Sequence, residues 1–189
     1  VKSAMNVLID LTIAFGQLYR ERKSENNLVD FNDLEHYTLD ILVKRTEDGS
    51  EPTETAVDLS ESFEEILIDE YQDSNLVQEL ILNSISKEKF NEPNLFMVGD
   101  VKQSIYKFRL ARPELFMEKF EKYSLEDSSY QRIDLHKNFR SRAVVLESVN
   151  IIFKQIMMKE LGNIEYDEAA ALHVGAAFPD TQELISDHT

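Results

Sequence analysis

The sequence predicts an α/β fold: a mostly parallel sheet flanked by helices and preceded by a helical segment. Three observations predict it. Two short apolar runs, Ile66-Leu67-Ile68 and Asn94 to Val98, each end in acids or in Gly-Asp, as buried parallel strands with functional groups at their C-terminal ends do. Stretches of helical periodicity alternate with these runs. Hydrophobic residues make up 42% of the chain and charged residues 30%, a globular balance rather than a disordered one.

The elements follow in order. Residues 1–22 repeat Val7, Leu8, Leu11, Ile13, Ala14, Leu18 and Tyr19 at helical spacing, and the polar run from Lys23 to Asn27 reads as a turn. Asp30 is placed to cap a second helix carrying Phe31, Leu34, Tyr37, Leu39, Ile41 and Leu42. Residues 45–58 combine Gly, Pro, Ser, Thr and acids, and read as a mobile loop. After the Ile66–Ile68 strand a helix is expected from Leu76 to Ser86, then the second strand. Pro113 opens a helix running to Tyr123. A third strand is expected from Tyr130 to Leu135, a loop over Asn138–Ser141, and a helix from Ala143 to about Lys159. The tail from Gly162 has weak periodicity. The polar run Ser124–Ser129 suggests a boundary between residues 120 and 130. The division expected is 1–58 helical, 59–125 sheet-bearing and 126–189 the start of a further domain.

Composition excludes several classes. Cysteine is absent, so disulfides and thiolate metal sites are ruled out. No apolar run approaches the roughly 20 residues of a membrane span, and no basic leader with a cleavage site opens the chain, so a cytoplasmic location is expected, with no membrane partner. The formal net charge of −16 argues against a broad basic face for phosphate. A small local nucleic-acid site remains compatible with it. His36, His136, His173 and His188 are widely spaced and lack metal-ligand spacing.

Three segments carry chemistry. Asp69-Glu70-Tyr71-Gln72-Asp73 follows the first strand, where an acid in a nucleotide-binding α/β sheet meets phosphate-bound Mg²⁺. Asp69 would then hold the ion through water, and Glu70 would take a proton from attacking water. Acids favouring a helix macrodipole explain the same residues equally well. The second segment runs from Val98 to Arg109. In it Gln103 can sense a phosphate oxygen, and Tyr106 and Phe108 alternate with Lys107 and Arg109, a pattern that suits stacked bases and a strand backbone. Burial of the two rings explains that pattern as well. The third segment is Asn138-Phe139-Arg140-Ser141. There Arg140 can serve developing phosphate charge or pair with one of the many acids.

Taken together, DEYQD, GDVKQSIYKFR and NFRS resemble motifs II, III and IV of UvrD/RecB-type superfamily 1 DNA helicases, and Asp30–Leu34 is similar to that family's DFxDL segment. KNFRSR, VNIIFKQIM and IEYDEAAALHVGAAFP look most like the AddA group of helicase–nucleases. The resemblance implies an incomplete P-loop NTPase (RecA-like) sheet and use of ATP with Mg²⁺. It further implies single- and double-stranded DNA as partners, with a second, AddB-like subunit, in double-strand-break repair. It places Asp69 in the metal shell and makes Glu70 the catalytic base. Gln72 would link nucleotide state to the site and Gln103 would approach the γ-phosphate. Tyr106 and Phe108, supported by Arg109, would stack on single-stranded bases. Phe139 would pack near the adenine, and Arg140 would reach the γ-phosphate. Phe108 stands where relatives often have Trp, and Leu110 where many have Gly.

None of the five glycines precedes Lys-Ser or Lys-Thr, so the chain carries no GxxxxGK[ST] phosphate loop. It is therefore expected to be a section of a longer protein, inactive by itself, with an exposed edge on the Ile66–Ile68 strand that favours self-association. Two other readings compete. One is a regulatory module that keeps the motifs as scaffold. The other is a metal nuclease built on Asp69, Glu70, Asp73 and Asp100, which leaves Gln103, Tyr106, Phe108 and Arg140 without a role.

Overall fold

The computed structural model describes residues 2–47, 49–106, 110–159 and 165–179. The chain divides into two compact units, Val1–Lys122 and Tyr123–Thr189.

The first unit opens with α1 (Lys2–Glu25). Arg22 and Lys23 lie in its last turn, where they favour the macrodipole. Asn27 then takes a left-handed conformation, φ 52°, and ends the helix as a residue type that tolerates that region. Asp30 caps α2 (Phe31–Leu42) in a reciprocal capping box with Asp33. Each carboxylate accepts a backbone N–H of the other at 2.9 Å. Lys23 Nζ donates to Asp30 Oδ2 at 2.9 Å and to Asp33 Oδ1 at 2.6 Å, so α1 and α2 are joined through the cap.

Residues 45–58 are not a loop. They lie in a hairpin of β1 (Val43–Thr46) and β2 (Gly49–Pro52), antiparallel with Val43 opposite Pro52, followed by α3 (Glu54–Ser62). Gly49 sits at φ 142° where the chain reverses. Thr53 caps α3 and also donates to the Ile41 carbonyl at 2.8 Å. The composition hid this helix because it packs through small side chains. Ala56 and Ser60 are fully buried, and neither contributes to an apolar period.

β3 (Ile66–Ile68) and β4 (Leu95–Met97) run parallel, Ile66 opposite Leu95 and Ile68 opposite Met97. α4 (Leu76–Ile85), capped by Asn75, connects them. Among the described residues β3 pairs with β4 alone. Leu67 and Phe96 are 70% and 55% exposed. α5 (Pro113–Lys122) begins at its proline, and its Phe116 ring lies 6.3 Å from that of Tyr71. Among the described residues of this unit, the buried apolar ones are Leu42, Ala56, Tyr71 and Ala111.

In the second unit the strand expected over Tyr130–Leu135 does not form. Only an isolated bridge joins Ser124 to Gln131, and Leu135 is 86% exposed. Alternation marks a segment that would suit a sheet, but a ladder needs a partner backbone. That partner comes two residues later. β5 (Lys137–Asn138) pairs in parallel with β6 (His173–Val174) from the weakly periodic tail. α6 (Ala143–Ile156) lies between them in sequence, and Leu146, Tyr166 and Ala171 are buried. Among the described residues no helix is long and apolar enough to cross a membrane.

Candidate functional site

The two parallel strands deliver their acids to the same end of the sheet. β3 ends in Asp69-Glu70, and Asp69 Oδ1 accepts the Glu70 N–H at 2.9 Å. Glu70 has φ 50° and ψ 40°, a left-handed conformation that a non-glycine residue holds only against its preference. The chain thereby turns into a 3-10 segment over Tyr71–Asp73. Ladder hydrogen bonds continue past both strands: Val98 N donates to Ile68 O at 2.8 Å and Tyr71 N to Val98 O at 2.9 Å.

Gln72 ties the two strand ends together. It is 1% exposed. Its Nε2 donates to Glu70 Oε2 at 2.6 Å, and its Oε1 accepts the Asp100 N–H at 2.9 Å. Asp100 Oδ2 in turn accepts from Gln103 Nε2 at 3.1 Å. A continuous hydrogen-bonded chain therefore runs Glu70–Gln72–Asp100–Gln103. Burial pushes the Asp100 carboxyl up, but hydrogen bonds from Lys102 and Gln103 outweigh it and leave the group below the usual carboxylate range. Gly99 is required by proximity: a Cβ there would stand 2.5 Å from Gln72 Oε1 and 3.0 Å from Phe116 Cε2.

A hollow of about 480 Å³ lies beside this end of β3, lined by Asp69, Glu70, Asp73, Ser74 and Gln78 over Ile68, Ile81 and Leu82. Asp73 Oδ1 is buried without a hydrogen-bond partner. Its carboxyl is pushed up first by burial and then by the charge of Glu70. Among the described residues no three acids or histidines come together as a metal-binding group. The nuclease reading, which needed such a cluster from Asp69, Glu70, Asp73 and Asp100, is not supported by this geometry. A hard ion held by Asp69 through water, with phosphate oxygens as its other ligands, does fit.

A polar cluster supports the motif from behind. The buried Tyr71 hydroxyl donates to Glu79 Oε2. Lys119 Nζ donates to Glu79 Oε1 at 2.9 Å, and Asn83 Nδ2 donates to it at 3.2 Å. Glu35 of α2 accepts from Gln78 Nε2 at 2.8 Å, which joins the DFxDL-like helix to the start of α4. Sequence reasoning missed Glu35, Glu79 and Lys119. For Glu79 a signal existed, since it immediately precedes the apolar run Leu80-Ile81-Leu82 and an unpaired acid on a buried helix is costly.

Tyr106 is 36% exposed, three residues after Gln103. Phe108 and Arg109 lie outside the described residues. In the second unit Phe139 and Arg140 share one turn. Asn138 Oδ1 fixes that turn by accepting the N–H groups of Arg140 and Ser141, both at 2.9 Å. Phe139 is 65% exposed. Arg140 is exposed and forms no salt bridge with an acid among the described residues.

Residues 3–124 match the UvrD/REP helicase N-terminal domain. The chain is 58% identical over 180 residues, 95% of its length, to the A subunit of the ATP-dependent helicase/nuclease of Lachnoclostridium phytofermentans. It is 49% identical over 187 residues, 98% of its length, to the protein of that name from Clostridium acetobutylicum. It is 49% identical over 190 residues, 99% of its length, to the one from Bacillus pumilus. It spans 13% of the first of these relatives and 15% of the other two. With residues 3–124 matched, about two thirds of its length, the chain belongs to the UvrD/REP helicase N-terminal domain family.

Proposed function

We propose that these residues form part of the motor of an ATP-dependent DNA helicase/nuclease subunit, with β3 and β4 belonging to a P-loop NTPase sheet. The observation that carries this reading is the Glu70–Gln72–Asp100–Gln103 chain at the ends of two parallel strands. Phosphoryl transfer needs a proton acceptor and a phosphate-sensing group held in fixed relation, and this chain supports that arrangement.

Asp69 would hold Mg²⁺ through water, and the ion would neutralise phosphate charge when bound. Glu70 accepts the proton of the attacking water. Gln72 keeps one carboxylate oxygen of Glu70 engaged and leaves the other for that water. Gln103 meets the γ-phosphate, and its bond to Asp100 passes any shift there back to Glu70. Arg140 supplies positive charge to the transferring group, and Phe139 supports the base. Tyr106, with Phe108 and Arg109, contacts single-stranded DNA bases. In the full-length protein, hydrolysis drives translocation along single-stranded DNA. A second, AddB-like subunit works with it on double-stranded ends during break repair in the cytoplasm. The 189-residue stretch by itself, having no GxxxxGK[ST] sequence, is expected not to turn ATP over.

The test is DNA-stimulated ATPase activity of the full-length protein carrying this segment, wild type beside Glu70→Gln. Nucleotide binding should persist while turnover falls by roughly 10²–10⁴, the range for a lost general base. Equal turnover in both proteins would sink the assignment and favour the scaffold reading.

A further inference from the structure

We infer that Gly175, held in place by Asn150, is a positioning residue for the Phe139 ring. The inference rests on the reading of Phe139 as the support for the nucleotide base. The ring is 65% exposed. Its support comes from the tail of the second unit. β6 runs beside β5, and Gly175 N donates to Asn138 O at 2.8 Å. This hydrogen bond lays the Gly175 backbone against the turn. A Cβ on Gly175 would stand 2.9 Å from both Cδ1 and Cε1 of Phe139 and 3.0 Å from Asn138 O. The absent side chain is therefore the space that one edge of the ring occupies. The backbone of Gly175 does not need a left-handed conformation, so the constraint on this residue comes first from the ring and then from the Asn138 carbonyl, not from its own φ.

The strand itself is held by α6. Asn150 Nδ2 donates to Leu172 O at 2.9 Å, and Asn150 Oδ1 accepts the Leu172 N–H at 2.9 Å. The side-chain amide thus satisfies both backbone groups of the residue before β6, as a neighbouring strand would. Tyr166 OH donates to the same Oδ1 at 2.8 Å, which fixes the orientation of the amide. A path of direct contacts then runs Asn150, Leu172, β6, Gly175, Phe139. Because Phe139 is exposed, a methyl group at Gly175 displaces the ring sooner than it disrupts the buried residues of the unit.

The experiment is steady-state, DNA-stimulated ATP hydrolysis by the full-length protein, comparing wild type, Phe139→Ala, Gly175→Ala and the double variant. Gly175→Ala should raise KM for ATP by roughly 2- to 12-fold, the range of one aromatic stacking contact. kcat should stay within about twofold, as expected when the binding lost is the same in the ground state and the transition state. In the Phe139→Ala background Gly175→Ala should add nothing, because a residue acting through the ring has no effect once the ring is gone. Asn150→Asp, which keeps the acceptor and removes the donor to Leu172, should raise KM in the same direction and likewise only when Phe139 is present. If Phe139→Ala raises KM and Gly175→Ala does not, or if the two effects add, the positioning role is wrong. If Phe139→Ala leaves KM unchanged, the reading of Phe139 as base support fails, and the inference with it.

Discussion

Gly99→Ala is the sharpest probe of the strand-end geometry. The added Cβ would lie 2.5 Å from Gln72 Oε1, whereas ordinary contact begins at 3.4 Å. Gln72 Oε1 must therefore retreat by about 0.9 Å, the difference of those distances. It has little freedom to do so, being 1% exposed and bonded at both ends of its amide. A retreat of that size along the line from Asp100 N would stretch its 2.9 Å bond beyond hydrogen-bond range. Leaving that amide unpaired costs about 1–3 kcal/mol, a factor of roughly 5–150 in a local equilibrium. Hydrogen exchange of residues 98–104 in the full-length protein reads this directly, since local opening sets the protection of each amide. Exchange at Asp100 should accelerate by that factor, and ATP turnover should fall because Glu70 loses its fixed partner. Unchanged protection at Asp100 together with unchanged turnover would show that Gln72 does not couple the strand ends.

Three further outcomes are expected. Hydrogen bonds from Lys23, above all, hold the Asp30 and Asp33 carboxyls below their usual range, while Asp33 and Asp30 raise Lys23. The carboxylates therefore stabilise the α1–α2 junction above about pH 4 and lose that effect as pH falls through their lowered values. The lysine's share persists below about pH 10.4 and is lost as pH rises through its raised value. The protection of the amides of residues 28–34, relative to their intrinsic exchange at each pH, should fall in acid, and Asp33→Asn should flatten that response. Asp73 has the opposite sign. Its raised carboxyl makes the folded state bind the proton more tightly than the unfolded one, so ionisation near neutral pH costs stability. Asp73→Asn should raise the melting temperature at pH 8 and have a smaller effect at pH 5; a lower melting temperature at pH 8 would contradict this. Glu79→Ala removes the carboxylate that accepts from the Tyr71 hydroxyl and from the Lys119 ammonium. Removing one partner of a buried pair costs about 3–5 kcal/mol, and the 22% exposure of the Lys119 side chain brings this toward the lower end. An unchanged urea midpoint would refute the supporting role of Glu79.

The motif segments were legible because their chemistry is local. Apolar Ile66–Ile68 and Leu95–Met97 mark strands wherever they stand, and an acid or Gly-Asp at the end of each marks a site. Asp30, three residues before Asp33, likewise announces a cap. The hairpin at Val43–Pro52 and helix α3 were hidden because small buried residues such as Ala56 and Ser60 carry no apolar period. The pairing of β5 with a tail segment some 35 residues away was hidden because a parallel ladder of two residues leaves no local pattern.

By itself, then, the sequence determined the α/β class, the family resemblance and the ends of β3 and β4 as the place for a site, since these follow from side-chain chemistry and short-range periodicity. Only the tertiary structure decided that Gln72 is a bridge between strand ends, that Glu79 and Lys119 stand behind Tyr71, and that Gly175 makes room for Phe139. Each of those roles depends on distances between residues far apart in the chain, and a buried hydrogen bond or a missing methyl group acts over about 3 Å.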